Sequence, residues 1–389
     1  MNTTRKAVSF YSTQSINEDD IKSVVDVLKS DFLTSGPKVF EFEESFQKIC
    51  DNKFAVSVNS ATSALHLAYM VNNISRDSKV WTSPISFVAT ANTALMTGAE
   101  IDFVDIDPDT LNISPDKLEE KLKKSKNKLP DLLTVVHFGG SPCEMKQIYQ
   151  LSDKYGFKII EDASHALGAK YQNSPIGSNS FSNGSVFSFH PVKMITTGEG
   201  GMLLLDTNEK MELAKNLRSH GITKKNSADS QNKPKWYYEQ HYVGNNYRLT
   251  EIQAALGLSQ LKRLKEFVKI RNNLARLYLD KLNKFPLSFQ KILNECQSSY
   301  HLFTIQITDN QFARDKLFKF LNDRNIGCQV HYIPIHLQPF FKKRGFSRGM
   351  FPNAEKYFDG CLSIPLHQRL NADDIDLVCD NLSDFFIKN

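Results

Sequence analysis

The sequence predicts an α/β protein, with a large domain built on a helix-covered sheet and a smaller α+β domain after it. Strand-like apolar runs alternate with helix-like amphipathic runs as far as residue 206, which is the grammar of such a sheet. At 389 residues the chain exceeds the size at which one hydrophobic core keeps growing. A long helical run at 249–282 then leads into a second, shorter set of elements. The expected division is 13–260 for the large domain and 261–389 for the small one, with residues 1–12 packing on the latter.

Residues 18–30 (EDDIKSVVDVLKS) carry apolar groups at helical spacing behind an acidic first turn, as a helix N-terminus favours. FAVSVN (54–59) reads as a strand and SATSALHLAYMV as a helix starting near Ser60. Strand followed by helix returns at 79–96, at 132–140 and at 157–168 (FKIIEDASHALG). SVFSFH (185–190) and GGMLLLD (200–206) read as two strands separated by a loop. Residues 222–238 are polar and turn-rich and read as an exposed excursion. Beyond the helical run, HLFTIQI (301–307), a helix near 311–323 and GCQVHYIPI (327–335) make up the small α+β unit.

The 41% hydrophobic and 23% charged content is that of an ordinary globular protein and excludes a disordered or fibrous class. The net charge of +5 is small and unclustered, which fits anionic small substrates and argues against a nucleic-acid partner. Six scattered cysteines without a Cys-x-x-Cys pair point to free thiols in a reducing compartment, with no metal site. The first residues lack the apolar run of a signal peptide, and no window approaches a membrane span. A soluble, cytoplasmic protein without a membrane partner is expected.

The segment SFHPVKMITTGEGG (188–201) places Lys193 between two strands on a glycine-rich loop. Such a lysine suits a buried amine that holds an aldehyde cofactor as an imine and shuttles a proton. Taken alone, a lysine near glycines is uninformative and reads first as a surface lysine in a hairpin. Asp162 closes the apolar strand before EDASHALGA (161–169), at the strand end where α/β sheets place ligands. A carboxylate there can pair with a pyridine nitrogen, though a lone aspartate is more often a helix cap. His165 can bond the ring hydroxyl or pack beneath the ring, or be a plain core histidine. Thr62 and Ser63, in NSATSAL (59–65), lie at a helix N-terminus suited to phosphate, or simply to capping. Ser188 can add a hydroxyl, and Phe87 can stack on a ring or sit in the core. Their order along the chain decides the matter: phosphate turn, aromatic, aspartate, then serine and lysine, each at a strand end. That is the order of parts in a fold-type I pyridoxal-phosphate (PLP) enzyme, an aspartate-aminotransferase-like fold.

At these residues the chain resembles the DegT/DnrJ/EryC1/StrS family of sugar aminotransferases. The resemblance runs from FLTSGPKVFEFEESF (32–46) to YIPIHLQPFF (332–341). EDASHALGA, SVFSFHPVKMITTGEGG, LRSHGI, NYRLTEIQAALGLSQL and QVHYIPI are its most specific pieces. It implies a mixed seven-stranded central sheet and homodimers whose active sites are shared between subunits. It also implies Lys193 as the Schiff-base lysine and Asp162 as the partner of the pyridine nitrogen. Thr62, Ser63 and Ser188 match phosphate contacts, and Phe87 the stacking ring. Asn246 matches a residue that reaches the neighbouring subunit's phosphate, and Arg248 one that binds substrate or donor there. Thr34 and Gly36, in a turn near the N-terminus, and His331 with Tyr332 are the implied nucleotide-sugar contacts.

Within the family, VNSATSALHLAY, SPISFVATAN, SHALGAKYQN and QVHYIPI most resemble the branch serving pseudaminic acid biosynthesis. That branch transfers an amino group from L-glutamate to UDP-2-acetamido-2,6-dideoxy-β-L-arabino-hex-4-ulose, cycling PLP through its pyridoxamine phosphate form. HFGGSPCEM (137–145) mixes this branch's pattern with the Gly-x-Pro of other sugar aminotransferases, which leaves other UDP-, GDP- or dTDP-linked keto-sugars open. A PLP-dependent sugar dehydratase is the rival enzyme class, but the 3-dehydratase branch carries histidine where this chain has Lys193. A PLP-binding regulator would bring an appended DNA-binding domain, for which the chain has no room.

Overall fold

The structure is a computed structural model that describes residues 8–125, 128–223, 234, 236–309 and 311–388. Asn17 and Asp20 form a capping box that opens α1 (Glu18–Leu28), and Pro37 at the first helical position opens α2 (Pro37–Cys50). Strands and helices then alternate: β1 (Phe54–Val58), α3 (Ala61–Val71), β2 (Lys79–Thr82), α4 (Ala89–Met96) and β3 (Glu100–Phe103). The series continues through α5 (Pro115–Ser125), β4 (Leu132–Val136), α6 (Met145–Tyr155) and β5 (Lys158–Asp162). A short hairpin of β6 (Lys170–Tyr171) and β7 (Ser174–Pro175) precedes β8 (Gly184–Ser188), β9 (Gly201–Leu205) and α7 (Asn208–Arg218).

Seven of these strands form one mixed sheet in the order β1-β9-β8-β5-β4-β2-β3. Only β9 runs against its neighbours, pairing antiparallel with β1 and β8. Every residue of β4 (LLTVV) and β9 (GMLLL) is buried, as continuous apolar strands covered on both faces should be. Successive side chains feed different cores. Met202, Leu204 and Ile159 join a cluster with Phe46 and Phe187, whereas Leu203, Leu205 and Ile160 join one with Val56 and Phe103.

Two local expectations differ from the structure. The strand ending at Asp162 is followed by turns rather than a helix, with Ala166 bonded to Ala163 and Ala169 to Ala166. Ala163 N–H still donates to Val186 O, and Gly168 takes a left-handed φ of +83° where a Cβ would meet Val268 at 2.7 Å. The backbone is thereby held on β8 and against the helix carrying Val268, which leaves no run to propagate. The helical run at 249–282 divides into α8 (Glu251–Leu261) and α9 (Leu264–Leu282). Arg263, at the break, turns its guanidinium to Asp20 and to the Ser15 carbonyl, tying the junction to the N-terminal segment. The strand pair β10 (Ile222–Thr223) and β11 (Glu239–Gln240) flanks the expected excursion, most of which lies outside the described residues.

The C-terminal part builds a second sheet, β12-β14-β15, from Leu287–Phe289, Phe303–Ile307 and Cys361–Ile364, while β13 (Cys296–Gln297) pairs with β6. Helices α10 (Arg314–Asn322), α11 (Pro339–Lys342), α12 (Pro352–Gly360) and α13 (Ala372–Lys388) complete it. A third core joins Tyr278 of α9, Leu317 of α10 and Phe385 of α13, and Val8 reaches it through a bridge to Ile326.

Arg271 of α9 is wholly buried between these parts. It donates to the carbonyls of Leu366 (2.7 Å), His301 (3.1 Å) and Tyr300 (3.3 Å), and to Gln368 Oε1 and Ser12 Oγ. None of these partners is a carboxylate, and burial pushes the guanidinium down to about 9. Arg271→Met keeps the volume but strands several buried acceptors, so a loss of about 3 kcal/mol is expected. Urea midpoints measure it. A loss below about 0.5 kcal/mol, the scale of an ordinary surface change, would show that the carbonyls find other partners.

Candidate active site

The C-terminal ends of the parallel strands open on one cavity of about 640 Å³, the place where α/β sheets receive ligands. Ser60, Ala61 and Thr62 line it beyond β1, where Ser60 accepts the Ser63 N–H at 3.1 Å and so caps α3. Phe87, 60% exposed, stands beyond β2 and lines the cavity. Asp162 and His165 come from the end of β5, and Ser188 and Lys193 from β8 and its following turn. His331 and Tyr332 close the cavity from the C-terminal part, and Tyr11 does so from the N-terminal segment.

Lys193 N–H donates to His190 O at 2.8 Å, which fixes the turn, and its Nζ lies 3.5 Å from His301 Nε2. Enclosure pushes the amine down to about 8, although the charge of Asp162 pulls the other way. The Asp162 carboxylate is buried and oriented by neutral donors: Thr90 Oγ at 2.7 Å on one oxygen, Ser164 N–H at 3.2 Å on the other. Three imidazoles surround the amine. Burial, reinforced by the nearby Lys193, holds His165 and His301 well below the ordinary histidine range and pushes His331 down to about 3. Neutral imidazoles beside a weakly basic amine suit proton transfer. Tyr332 Oη lies 3.2 Å from His165 Nε2, and burial pushes its hydroxyl above the usual tyrosine range.

The residues named from the sequence divide into two groups. Lys193, Asp162, His165, Ser188, Thr62, Phe87, His331 and Tyr332 meet on the cavity. Ser63 does not line it, because its hydroxyl turns to Asn59 Oδ1 at 2.6 Å within the cap. Asn246 is exposed and paired with Ser219, and Arg248 bridges Val58, both off the cavity lining. Thr34 and Gly36 pack instead on α8. The Thr34 carbonyl accepts Glu251 N–H at 2.8 Å, and a Cβ on Gly36 would stand 2.9 Å from the Glu251 carboxyl. Tyr11, Thr90 and His301 belong to the site but are not singled out by the sequence: Thr90 lies unmarked within SPISFVATAN, and His301 opens the HLFTIQI segment, two residues ahead of the strand that forms.

A shape of this kind fits PLP. One end offers α3's N-terminus with the Ser60, Thr62 and Ser188 hydroxyls for a phosphate. The other offers a weakly basic lysine, a buried carboxylate and His165, whose Nδ1 is buried without a hydrogen-bond partner among the described residues. Comparison with known proteins agrees. Residues 14–383 match the model of the DegT/DnrJ/EryC1/StrS aminotransferase family. The chain belongs to that family. It is 41% identical over 374 residues to the UDP-4-amino-4,6-dideoxy-N-acetyl-beta-L-altrosamine transaminase of Campylobacter jejuni, covering 96% of each chain. Its fold is similar to that of Helicobacter pylori PseC, an aminotransferase of pseudaminic acid biosynthesis (TM-score 0.90, 34% identity, 99% and 100% of the two chains). A Streptococcus pneumoniae protein assigned as a sugar aminotransferase, solved in its PMP form, gives a TM-score of 0.89 at 26% identity over 97% and 98%. The enzyme is thus a PLP-dependent sugar aminotransferase.

For an aminotransferase of this family the low basicity of Lys193 has a measurable consequence. The amine titrates at its ordinary 10.5 when unfolded and at about 8 when native. Below both values it is charged in either state, and its burial cost falls wholly on the native one. Between about pH 8 and 10.5 the unfolded chain keeps a proton that the native chain has released, so stability rises with pH. The full chain stripped of cofactor should show this gain over a Lys193→Met variant when urea midpoints are compared across that range. Identical pH responses would mean that the native lysine titrates normally.

Proposed function

We propose that the enzyme transfers an amino group from L-glutamate to C4 of a UDP-linked 4-keto-6-deoxy sugar, UDP-2-acetamido-2,6-dideoxy-β-L-arabino-hex-4-ulose, in pseudaminic acid biosynthesis. The observation that carries the reaction is Lys193 and Asp162 at the ends of adjacent strands, facing one cavity. The 41% identity to the Campylobacter jejuni transaminase supports the sugar.

PLP, when bound, supplies the electron sink that makes a C–H bond next to nitrogen acidic. The chain's own residues do the rest. Thr62 and Ser188, with the first turn of α3, hold the phosphate. Asp162, oriented by Thr90, keeps the ring nitrogen protonated. Phe87 would cover one ring face and His165 would serve the ring hydroxyl. Lys193 Nζ removes the proton from the α-carbon of glutamate, and in the second half-reaction delivers one to C4 of the sugar. Because that proton comes from a fixed atom, Lys193 also sets the configuration at C4. Positioned transfer of this kind contributes on the order of 10²–10⁴ in rate.

His331 and Tyr332 line the cavity on the side left for the sugar. Asn246, Arg248, Thr34 and Gly36 lie off this chain's own cavity, and we assign them to the partner's site in a homodimer with shared active sites. Six free, buried cysteines suit a reducing compartment, so we place the enzyme in the cytoplasm. No helix among the described residues is long and apolar enough to cross a membrane.

Purified enzyme incubated with glutamate and a panel of UDP-, GDP- and dTDP-linked 4-keto sugars tests the assignment. Formation of 2-oxoglutarate together with a 4-amino UDP-sugar, identified by mass and NMR, is the expected result. Preference for a GDP- or dTDP-sugar would replace the proposed substrate, and loss of hydroxyl without 2-oxoglutarate would replace the reaction.

A further inference from the structure

We infer that His301 is a positioning residue for Lys193: its Nε2 accepts a hydrogen bond from the free amine, aims it and sets the pH at which it becomes reactive. The inference rests on reading Lys193 as the reactive amine. Among the described residues, the contact with His301 Nε2 at 3.5 Å is the one hydrogen bond the Lys193 side chain makes.

The imidazole is placed by a clamp of distant segments. Arg271 Nη1 donates to the His301 carbonyl at 3.1 Å. On the other side, Ser299 N–H and Leu302 N–H donate to the Gly140 and Gly139 carbonyls at 3.0 and 3.2 Å. Gly140 takes a φ of +95°, and a Cβ there would stand 2.9 Å from His301 N, so this approach requires glycine. Ser299 Oγ donates to the His165 carbonyl at 2.9 Å, and the two imidazole rings lie 4.4 Å apart. His301 is 2% exposed and has no freedom to swing away.

The tautomer follows from the partners. If the amine donates to Nε2, that nitrogen carries the lone pair and Nδ1 carries the proton. Among the described residues Nδ1 is buried without a hydrogen-bond partner, so none of them competes for the orientation of the ring. Burial, Lys193, His165 and Arg271 all disfavour the imidazolium, which leaves His301 an acceptor. A neutral acceptor favours an ammonium donor over an amine donor. His301 therefore offsets part of the burial that makes Lys193 a weak base. The other titratable groups about the amine are Asp162 at the end of β5 and His165 after it, His190 on the lysine's own turn, Glu199 ahead of β9, His331 and Tyr332 at the C-terminal wall, and Tyr11. A substitution at 301 leaves each of them in the chain, and of these only His165 packs ring to ring on His301.

The test uses the full chain stripped of PLP. A neutral acylating reagent attacks only the unprotonated amine, so its rate at Lys193, followed by peptide mass spectrometry across pH, gives the midpoint of that group. His301→Phe should lower the midpoint by about one pH unit, the scale of a hydrogen bond to a charged group. His301→Gln keeps an acceptor and should restore most of the shift. Equal shifts in both variants, or none in either, would overturn the inference and leave His301 a packing residue. The wild-type protein supplies an independent check through its imidazole ¹⁵N shifts, where a proton on Nε2 of His301 would also overturn it. Borohydride reduction with PLP, read as the mass of the Lys193 peptide, reports separately on the reading beneath: labelling elsewhere would undo that reading rather than the role of His301.

Discussion

Lys193→Ala is expected to lose at least about 10⁴ of the transamination rate, the upper end of what a positioned proton-transfer group contributes. On the proposed assignment, two roles disappear with one side chain, the covalent hold on the cofactor and the proton carrier. The loss should be in kcat, since the phosphate end at Ser60, Thr62 and Ser188 is untouched and continues to bind PLP. After borohydride reduction the variant should release its cofactor on denaturation, whereas wild type should retain it on the peptide containing Lys193. The site should fold as before, because the turn is fixed by the backbone bond from Lys193 N–H to His190 O. Transamination at the wild-type rate would remove Lys193 from the mechanism.

Asp162→Asn is expected to lower kcat by on the order of 10²–10³, the scale of removing one preorganised electrostatic partner. Asparagine has the size of aspartate and can still accept the Thr90 hydroxyl through its oxygen, so the contact at 2.7 Å can survive. What it cannot supply is the negative charge that holds a pyridine nitrogen protonated. The same charge raises the basicity of Lys193 against burial, so its loss should move the alkaline-side rise in activity to lower pH. Folding stability should hold or increase, because a buried carboxylate with no cation in contact among the described residues costs desolvation that asparagine avoids. Steady-state kinetics across pH, together with urea midpoints, separate these effects. A variant that keeps kcat within about threefold of wild type would rule out the charge as the working feature.

The site was legible where chemistry and local pattern coincide. Asp162 closes an apolar strand, Lys193 follows another on a glycine-rich loop, and Ser60 precedes an apolar helix. These are signals within a dozen residues. Ser63 shows the limit of such reading: both its hydroxyl and that of Thr62 lie in the first turn, and cap geometry alone decides that Thr62 faces the cavity. The turns after Asp162 and the break at Arg263 were hidden for a similar reason. Both depend on segments far along the chain: β8 and α9 for the first, Asp20 and Ser15 for the second.

The amino-acid sequence by itself determined the alternation that makes the central sheet, the residues at its strand ends and, through their order, the cofactor, while the class of reaction came from the resemblance to the family. Tertiary structure alone decided the strand order with its single antiparallel member, and which groups stand beside the reactive amine. His301 comes to Lys193 from one distant stretch of chain, Arg271 fixes the His301 carbonyl from another, and Tyr11 reaches the same cavity from the N-terminal segment. The basicity of an amine depends on burial and on charges within a few ångströms of it, and those distances exist only once the chain has folded.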